Sequence, residues 1–386
     1  MRPFGKSLPY IGYPNNPQFG EASRQSRGSI LDMSTRLIGR LFEGQIDVVG
    51  DVHGECEALE ALLEKLGYDQ SGSHPDGRRL VFLGDLCDRG PNSPGTIRWI
   101  QKLVETGRAQ AIAGNHELNV LRREYKHGNH WFFGRSSDRE FGECAAIPEQ
   151  EQESILEFFR SLPVALERDD LRIVHAAWTD SAIDQCRGLG LPLDAAYRMF
   201  ESAMRTDPKF LELAARHAEE EQRLGGAIKD QQARPQATAI GPYDEFCQMG
   251  NPIRVITSGV ERAVEQPFYA AGKWRFVERV PWWREYHNEI PVLFGHYWRW
   301  WDPAVHPVLS KGEPHLFADD RVGPLMSEHQ RWFCIDFSVG SRYKQRRLRH
   351  GPPFHGRLAA MRWPERVLVY DAEEPAAMRH SRPAAL

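Results

Sequence analysis

The chain lacks most of the signals that place a protein in a familiar class. Its six cysteines, at 56, 87, 144, 186, 247 and 334, form no CxxC pair and no Cys/His zinc spacing. That argues against a disulfide framework and against a thiolate zinc site. No uninterrupted apolar run approaches the ~20 residues that span a bilayer, and MRPFGKSLPYIGYPNN at the start lacks the apolar core of a signal peptide. A cytoplasmic protein without membrane contact is expected. A net charge of −4 and a pI near 6.4 give no strong nucleic-acid signal, so partners must be recognised at a site and not by bulk charge. The first strand–helix turn has no GxGxxG, which removes a metal-free dinucleotide-binding reading. GxxxxGK[ST] is absent throughout, which excludes a fused P-loop kinase. There is no internal repeat.

What is present is a strand–helix rhythm. Residues 1–28, rich in Gly, Pro, Asn, Ser and Arg, read as a flexible arm. From Ser29, a plausible N-cap with Asp32 three residues on, Ile30, Leu31, Leu37, Ile38, Leu41 and Phe42 fall on one helical face. IDVVG (46–50) reads as a buried strand. The helix after it carries Leu59, Leu62, Leu63 and Leu66, with Gly67 as its C-terminal cap. RLVFLG (79–84), a helix with Ile97, Ile100, Leu103 and Val104 closed by Gly107, and AQAIAG (109–114) complete β-α-β-α-β. Apolar strands in that order predict a mainly parallel sheet covered on both faces. LRIVHAA (171–177), PVLFGH (291–296), RWFCIDF (331–337), GRLAAMRW (356–363) and RVLVYD (366–371) are further strands, the last two forming a hairpin about Pro364 and Glu365. The rhythm stops between His175 and Pro291, where LELAARHAEEEQRLGG (211–226) is helical and charged. One domain over 29–375 is therefore expected, with an inserted cap at about 180–285 and a tail over 376–386.

Each strand of the series ends in a polar cluster. The clusters are Asp51 and His53 in GDVHG, Asp85, Asp88 and Arg89 in GDLCDRGP, Asn115 and His116 in GNHE, His175 in VH, and His296 in GH. Ligands of open α/β sheets bind beyond the carboxyl ends of strands, so the five clusters should converge. Carboxylate, imidazole and one amide oxygen, without thiolate, suit Mn²⁺, Fe²⁺, Zn²⁺ or Ni²⁺. A pair of such ions needs a shared anion, and Asp85 is the natural bridge.

These motifs, in this order, resemble the calcineurin-like metallophosphoesterases, and among them the PPP-type phosphatases. The resemblance implies an αββα sandwich of two mixed sheets flanked by helices, with a dinuclear metal site at the strand C-termini and a helical insertion. It implies two divalent ions, Mn²⁺ foremost, the first held by Asp51, His53 and Asp85, the second by Asp85, Asn115, His175 and His296. His116 would be the general acid, oriented by Asp88. Arg89, with Asn115, would bind the phosphoryl group, and a water between the ions would attack phosphorus in line. GHYW (295–298) departs from the GHxH of many relatives, so Trp298 supplies no ligand. CIDFSVG with GRLAAMRWPER looks like the strand-turn-strand of bacterial diadenosine tetraphosphatases and polynucleotide phosphatases, without carrying over a substrate residue. A second phosphate-clamping arginine is expected from the insertion, among Arg254, Arg275, Arg279 and Arg284.

Each feature has a blander reading. Asp and Asn favour turns and helix caps anyway, but three successive strand ends bearing His as well do not need caps to explain them. The tryptophans 282, 283, 298, 300 and 301, with Trp131, Phe132 and Phe133, read first as core, and second as a platform for a flat leaving group. HAEEEQRLGG reads as a solvated helix face, and Cys87 carries no role. The expected function is metal-dependent hydrolysis of a phosphate ester or anhydride on a small molecule or nucleotide. Diadenosine tetraphosphate hydrolysis, protein serine/threonine phosphatase activity and, last, a non-catalytic scaffold are the alternatives.

Overall fold

The computed structural model describes residues 36–126, 128–134, 144–300, 312, 314–317, 331–348 and 354–372. The expected arm and tail, Trp301, and the first six residues of the helix predicted from Ser29 lie outside them.

Strands run β1 (Ile38–Arg40), β2 (Ile46–Val49), β3 (Arg79–Phe82), β4 (Ala109–Ala111), β5 (Ala165–Arg168), β6 (Leu171–Val174), β7 (Glu261–Ala270), β8 (Lys273–Arg279), β9 (Val292–Phe294), β10 (Trp332–Cys334), β11 (Ala359–Trp363) and β12 (Val367–Tyr370). They form two mixed five-stranded sheets, β12-β11-β2-β3-β4 and β1-β5-β6-β9-β10, while β7 and β8 pair by themselves. β2, β3 and β4 are parallel, as are β6, β9 and β10. β11 and β12 form an antiparallel hairpin laid against β2.

Alternation within each strand explains the layering. Val48 and Val81 meet Ile173, Leu293 and Phe333 of the other sheet in one buried cluster. Their neighbours Val49, Leu80 and Phe82 face the opposite way, against Leu59, Leu62, Leu63, Ile97, Ile100 and Leu103 of helices Cys56–Leu66 and Ser93–Glu105. Apolar residues on both faces of each strand need cover on both faces, and the result is helix–sheet–sheet–helix. Of the two expected closures Gly67 caps its helix, while the second helix is capped by Thr106, one residue before the expected Gly107. Asn92 accepts from Gly95 N–H at the start of Ser93–Glu105, and Gly67, at φ 93°, closes Cys56–Leu66.

One expectation fails. The apolar spacing of 30–42 predicts a helix, but Ile38–Arg40 is β1, paired parallel with β5. Gly39 weakens the helix, and the β5 backbone offers ladder hydrogen bonds, so tertiary pairing overrides the local period. Between β6 and β9 the chain forms helices Asp180–Cys186, Leu193–Arg205, Pro208–Leu224, Ile240–Met249 and Pro252–Ser258, then the β7–β8 hairpin.

Candidate metal centre

Parallel pairing brings the carboxyl ends of β2, β3 and β4 to one side of one sheet, and those of β6, β9 and β10 to one side of the other. The loops that follow them hold the predicted site residues, except Asn115 and His116, which open the helix Asn115–Leu121 after β4. These loops turn sharply: His53, Asp85, Asp88, Arg89, His296, Trp298 and Ser338 all have φ between 47° and 72°, in the left-handed region. Non-glycine residues there cost of order 1–3 kcal/mol each, a strain that gathers at functional sites. Gly295 shows how tightly the loops approach, since a Cβ on it would lie 2.0 Å from Asp51 Oδ1.

Three imidazoles share one arrangement. His53 Nδ1–H donates to Cys87 O at 3.1 Å, His175 Nδ1–H to Leu83 O at 2.8 Å, and His296 Nδ1–H to Asn115 Oδ1 at 3.0 Å. Those oxygens only accept, so each ring carries its proton on Nδ1 and turns Nε2 inward. A fixed Nδ1–H that leaves Nε2 facing the centre is the usual preparation of a metal-binding histidine. His53 Nε2 lies 3.6 Å from Asp85 Oδ2, His175 Nε2 lies 3.3 Å from Asp85 Oδ1, and Asp51 Oδ2 is 4.0 Å from His53 Nε2. Asp85 stands between the two groups, one oxygen toward each.

Asp85, His175 and His296 present ligand atoms within 4.8 Å of one another, and so do His53, Asp85 and His116. The second grouping contains His116 where the sequence reading has Asp51. Asp51 is nevertheless adjacent, accepting from His296 N–H at 3.1 Å. His116 Nδ1–H donates to Asp88 Oδ2 at 2.5 Å, and Trp131 Nε1–H donates to the other Asp88 oxygen at 2.6 Å. Arg89 donates to His53 Nε2 at 2.7 Å and to His116 Nε2 at 2.9 Å, spanning the mouth of this group.

Electrostatics favour a cation. Burial, and then Asp336, push the Asp51 carboxyl up, and burial likewise raises that of Asp336. Burial and Arg89 push His53 down, and burial and Arg279 push His296 down, so both rings are neutral and able to ligate. Burial opposes the charged forms of Asp85 and His175, but their mutual attraction wins. Asp85 falls well below the carboxylate range and His175 rises to about 10. A divalent ion would replace that balancing proton. His175 Nε2 and His296 Nε2 are buried without hydrogen-bond partners. Inward-facing imidazole nitrogens without hydrogen-bond partners, beside buried carboxylates, are the donor set that Mn²⁺, Fe²⁺ or Zn²⁺ takes, and the residues fit a divalent metal pair.

Residues 44–202 match the family model for calcineurin-like phosphoesterases. The match covers less than half of the chain. Among similar proteins are an asymmetrical bis(5'-nucleosyl)-tetraphosphatase of Halalkalibacterium halodurans, 38% identical over 141 residues, and one of Bacillus subtilis, 36% identical over 139. Each match covers 34% of this chain and 56% of the relative, so the chain spans little more than half of their length. A cold-active protein-tyrosine phosphatase of Shewanella aligns over 93% of this chain and 89% of its own, at 16% identity and a TM-score of 0.43, a likeness too loose to bear on activity.

The sequence reading misses several residues of this site. The buried Glu117 carboxylate accepts from the N–H groups of Asp85 and Leu86 at 2.8 Å and of Gly114 at 2.9 Å, tying two ligand loops together. GNHE contains it, but nothing in the motif announces three backbone partners. Asp336 accepts from Trp298 N–H and Ser338 N–H, both at 2.8 Å. Of the four arginines considered for a second clamp, Arg254 binds the Tyr197 hydroxyl at 2.7 Å and pairs with Glu201, while Arg284 donates to Leu316 O. Arg275 donates to Ala270 O at 3.4 Å, and Arg279 acts electrostatically on His296. Trp282, Trp283 and Trp300 are buried, with Trp283 stacked on Phe317 at 4.8 Å, so they are core. Trp298 is half-buried.

Proposed function

We propose that the protein is a metal-dependent phosphoesterase, hydrolysing a phosphate ester or anhydride of a small molecule or nucleotide. The observation that carries this is the convergence of Asp85, His175 and His296 with His53, His116 and Arg89 at one buried centre. Asp51, His53 and Asp85 would hold one ion, and Asp85, Asn115, His175 and His296 the other. Bound there, the ions would neutralise phosphoryl oxygens and lower the pKa of bound water, and Mn²⁺ is the first candidate.

The chain's own groups do the rest. Arg89 binds and orients two phosphoryl oxygens, which a planar fork does better than a lysine. His116, its Nδ1 proton fixed by Asp88, delivers a proton from Nε2 to the leaving oxygen, and Trp131 holds Asp88 in place. Arg279 completes the clamp from β8, and residues 180–285 act as a cap. The relatives named as bis(5'-nucleosyl)-tetraphosphatases favour an anhydride of a nucleotide over a phosphoprotein. The expected result is turnover of p-nitrophenyl phosphate and of a dinucleoside tetraphosphate with Mn²⁺, abolished by chelation. Binding of neither and turnover of neither, in protein shown to contain metal, would overturn the reading.

A further inference from the structure

The segment that follows helix Asn115–Leu121 contributes no expected metal ligand, yet it meets the site at two points. Arg89 N–H donates to Gly128 O at 3.2 Å, and Trp131 Nε1–H donates to Asp88 Oδ1 at 2.6 Å. Gly128, at φ 102°, comes so close that a Cβ there would lie 3.1 Å from Arg89 N and 3.5 Å from Asp88 Cβ. Asp88 and Arg89 are consecutive left-handed residues, φ 72° and 70°, a costly pair that only firm surroundings maintain. One segment therefore backs both the partner of the acid and the phosphate clamp.

That segment is itself braced. Asn129 is fully buried, its Oδ1 accepting from Lys126 N–H at 3.0 Å and its Nδ2 donating to Glu124 O at 2.9 Å. Phe132 N–H donates to Asn129 O at 3.1 Å, Ile147 N–H to Trp131 O at 3.1 Å, and Gln152 Nε2 to Phe132 O at 3.0 Å. Trp131 is only 2% exposed, so no flat leaving group can stack on it, and the platform considered for it from the sequence is excluded. Its indole N–H needs a partner once buried, and the partner is a buried carboxylate. Both oxygens of Asp88 are then committed, Oδ1 to Trp131 and Oδ2 to His116 Nδ1–H at 2.5 Å, while Asp88 N–H donates to Ser93 Oγ at 2.9 Å. Hydrogen bonds to an ionised group are shorter and stronger than neutral ones.

A carboxylate on Nδ1–H fixes the tautomer and the direction of an imidazole, and it can do so only as well as it is itself held. We infer that residues 128–131 position the acid and the clamp together, with Trp131 as the positioning residue for His116. By fixing the second Asp88 oxygen, Trp131 sets how well the centre expels a leaving group that departs poorly without a proton. The alkoxide of an alkyl phosphate is such a group. As the bond from phosphorus to that oxygen breaks, the His116 proton passes to the oxygen and water supplies the new bond to phosphorus. The inference rests on the phosphoesterase reading of the centre.

Trp131→Phe keeps the ring and removes the N–H. With Mn²⁺, turnover should fall on both p-nitrophenyl phosphate and glycerol 2-phosphate, whose alkoxide leaves far less readily. The loss should be about tenfold greater on the second, a fraction of the ~10²–10⁴ that general acid catalysis supplies. A merely structural defect would slow both alike. Proton NMR gives a readout without turnover: the downfield His116 Nδ1–H resonance, identified by its loss in His116→Asn, should move or broaden in Trp131→Phe. Equal losses on the two esters, or an unmoved resonance, overturns the inference. A moved resonance in a protein whose wild type hydrolyses neither ester nor a dinucleoside tetraphosphate overturns the phosphoesterase reading and supports the hydrogen-bonded positioning alone. Should Trp131→Phe fail to fold, Asp88→Asn reports from the other side. The Trp131 indole proton should then move upfield on losing its carboxylate, and an unchanged indole spectrum overturns the inference.

Discussion

Within the centre, His116 is the residue whose role divides most cleanly into alternatives. Its Nε2 lies 3.8 Å from Asp85 Oδ2, close enough for a ligand, yet Asp88 grips its other nitrogen as it would grip a proton donor. A general acid contributes about 10²–10⁴ in rate. His116→Asn is expected to slow turnover by about that factor while keeping both metal ions, counted by elemental analysis of the purified variant. Loss of an ion from the variant would make His116 a ligand. Motif spacing alone is enough to nominate Asp51, His53, Asp85, Asn115, His116, His175 and His296, because strand ends must point ligands to one place. It is silent on Glu117, Asp336 and Trp131. The contacts by which they tie separate loops together run across 31, 38 and 43 residues, and no local pattern encodes such a contact.

Among the elements, the region between β6 and β9 shows how little the polar helices are held by apolar burial. In Pro208–Leu224 only Phe210 and Leu213 are buried. What ties this helix to the next is Glu220, whose carboxylate accepts from the N–H groups of Thr238 and Ala239 at 2.8 Å and of Ile240 at 3.3 Å. Burial, the largest single effect, pushes the Glu220 carboxyl up, but these donors together win, and it titrates below its usual 4.5. A carboxylate held low stabilises the fold above the usual value, and that contribution disappears as pH falls through the lower one. Glu220→Gln should therefore cost about 0.5–1 kcal/mol at neutral pH, a capping value kept small by solvent. Thermal midpoints of variant and wild type should draw together below pH 4.5; a constant difference across that range would mean the charge is irrelevant. Such ties are also why some strands are legible in the sequence and others are not. VFLG and IDVV announce buried strands by composition, whereas ALER of β5 and the long β7–β8 pair are part-exposed, and their pairing is decided by neighbours distant in sequence.

For the molecule as a whole, the buried acids and imidazoles at the centre set a condition on stability. Asp51, Asp85 and Asp336 are each at most 2% exposed, and charges taken out of water need compensation. A divalent ion that binds only the folded chain adds about 2.7 kcal/mol when present at a hundredfold over its Kd. Mn²⁺ should accordingly raise the melting temperature, measured by calorimetric scanning, and a chelator should reverse it. Asp85→Asn, which removes the anion between the two groups, should lose most of that rise; an equal rise in the variant would place the ion elsewhere.

The pairing of β11 with β2 joins residues 359–363 to residues 46–49 across almost the whole described chain. During synthesis the strand that leads into GDVHG thus leaves the ribosome long before its central partner exists. Until the closing hairpin arrives, β2 has β3 on one flank and a bare row of amide and carbonyl groups on the other. The sheet that carries Asp51, His53 and Asp85 must wait, open-edged, for its final strands.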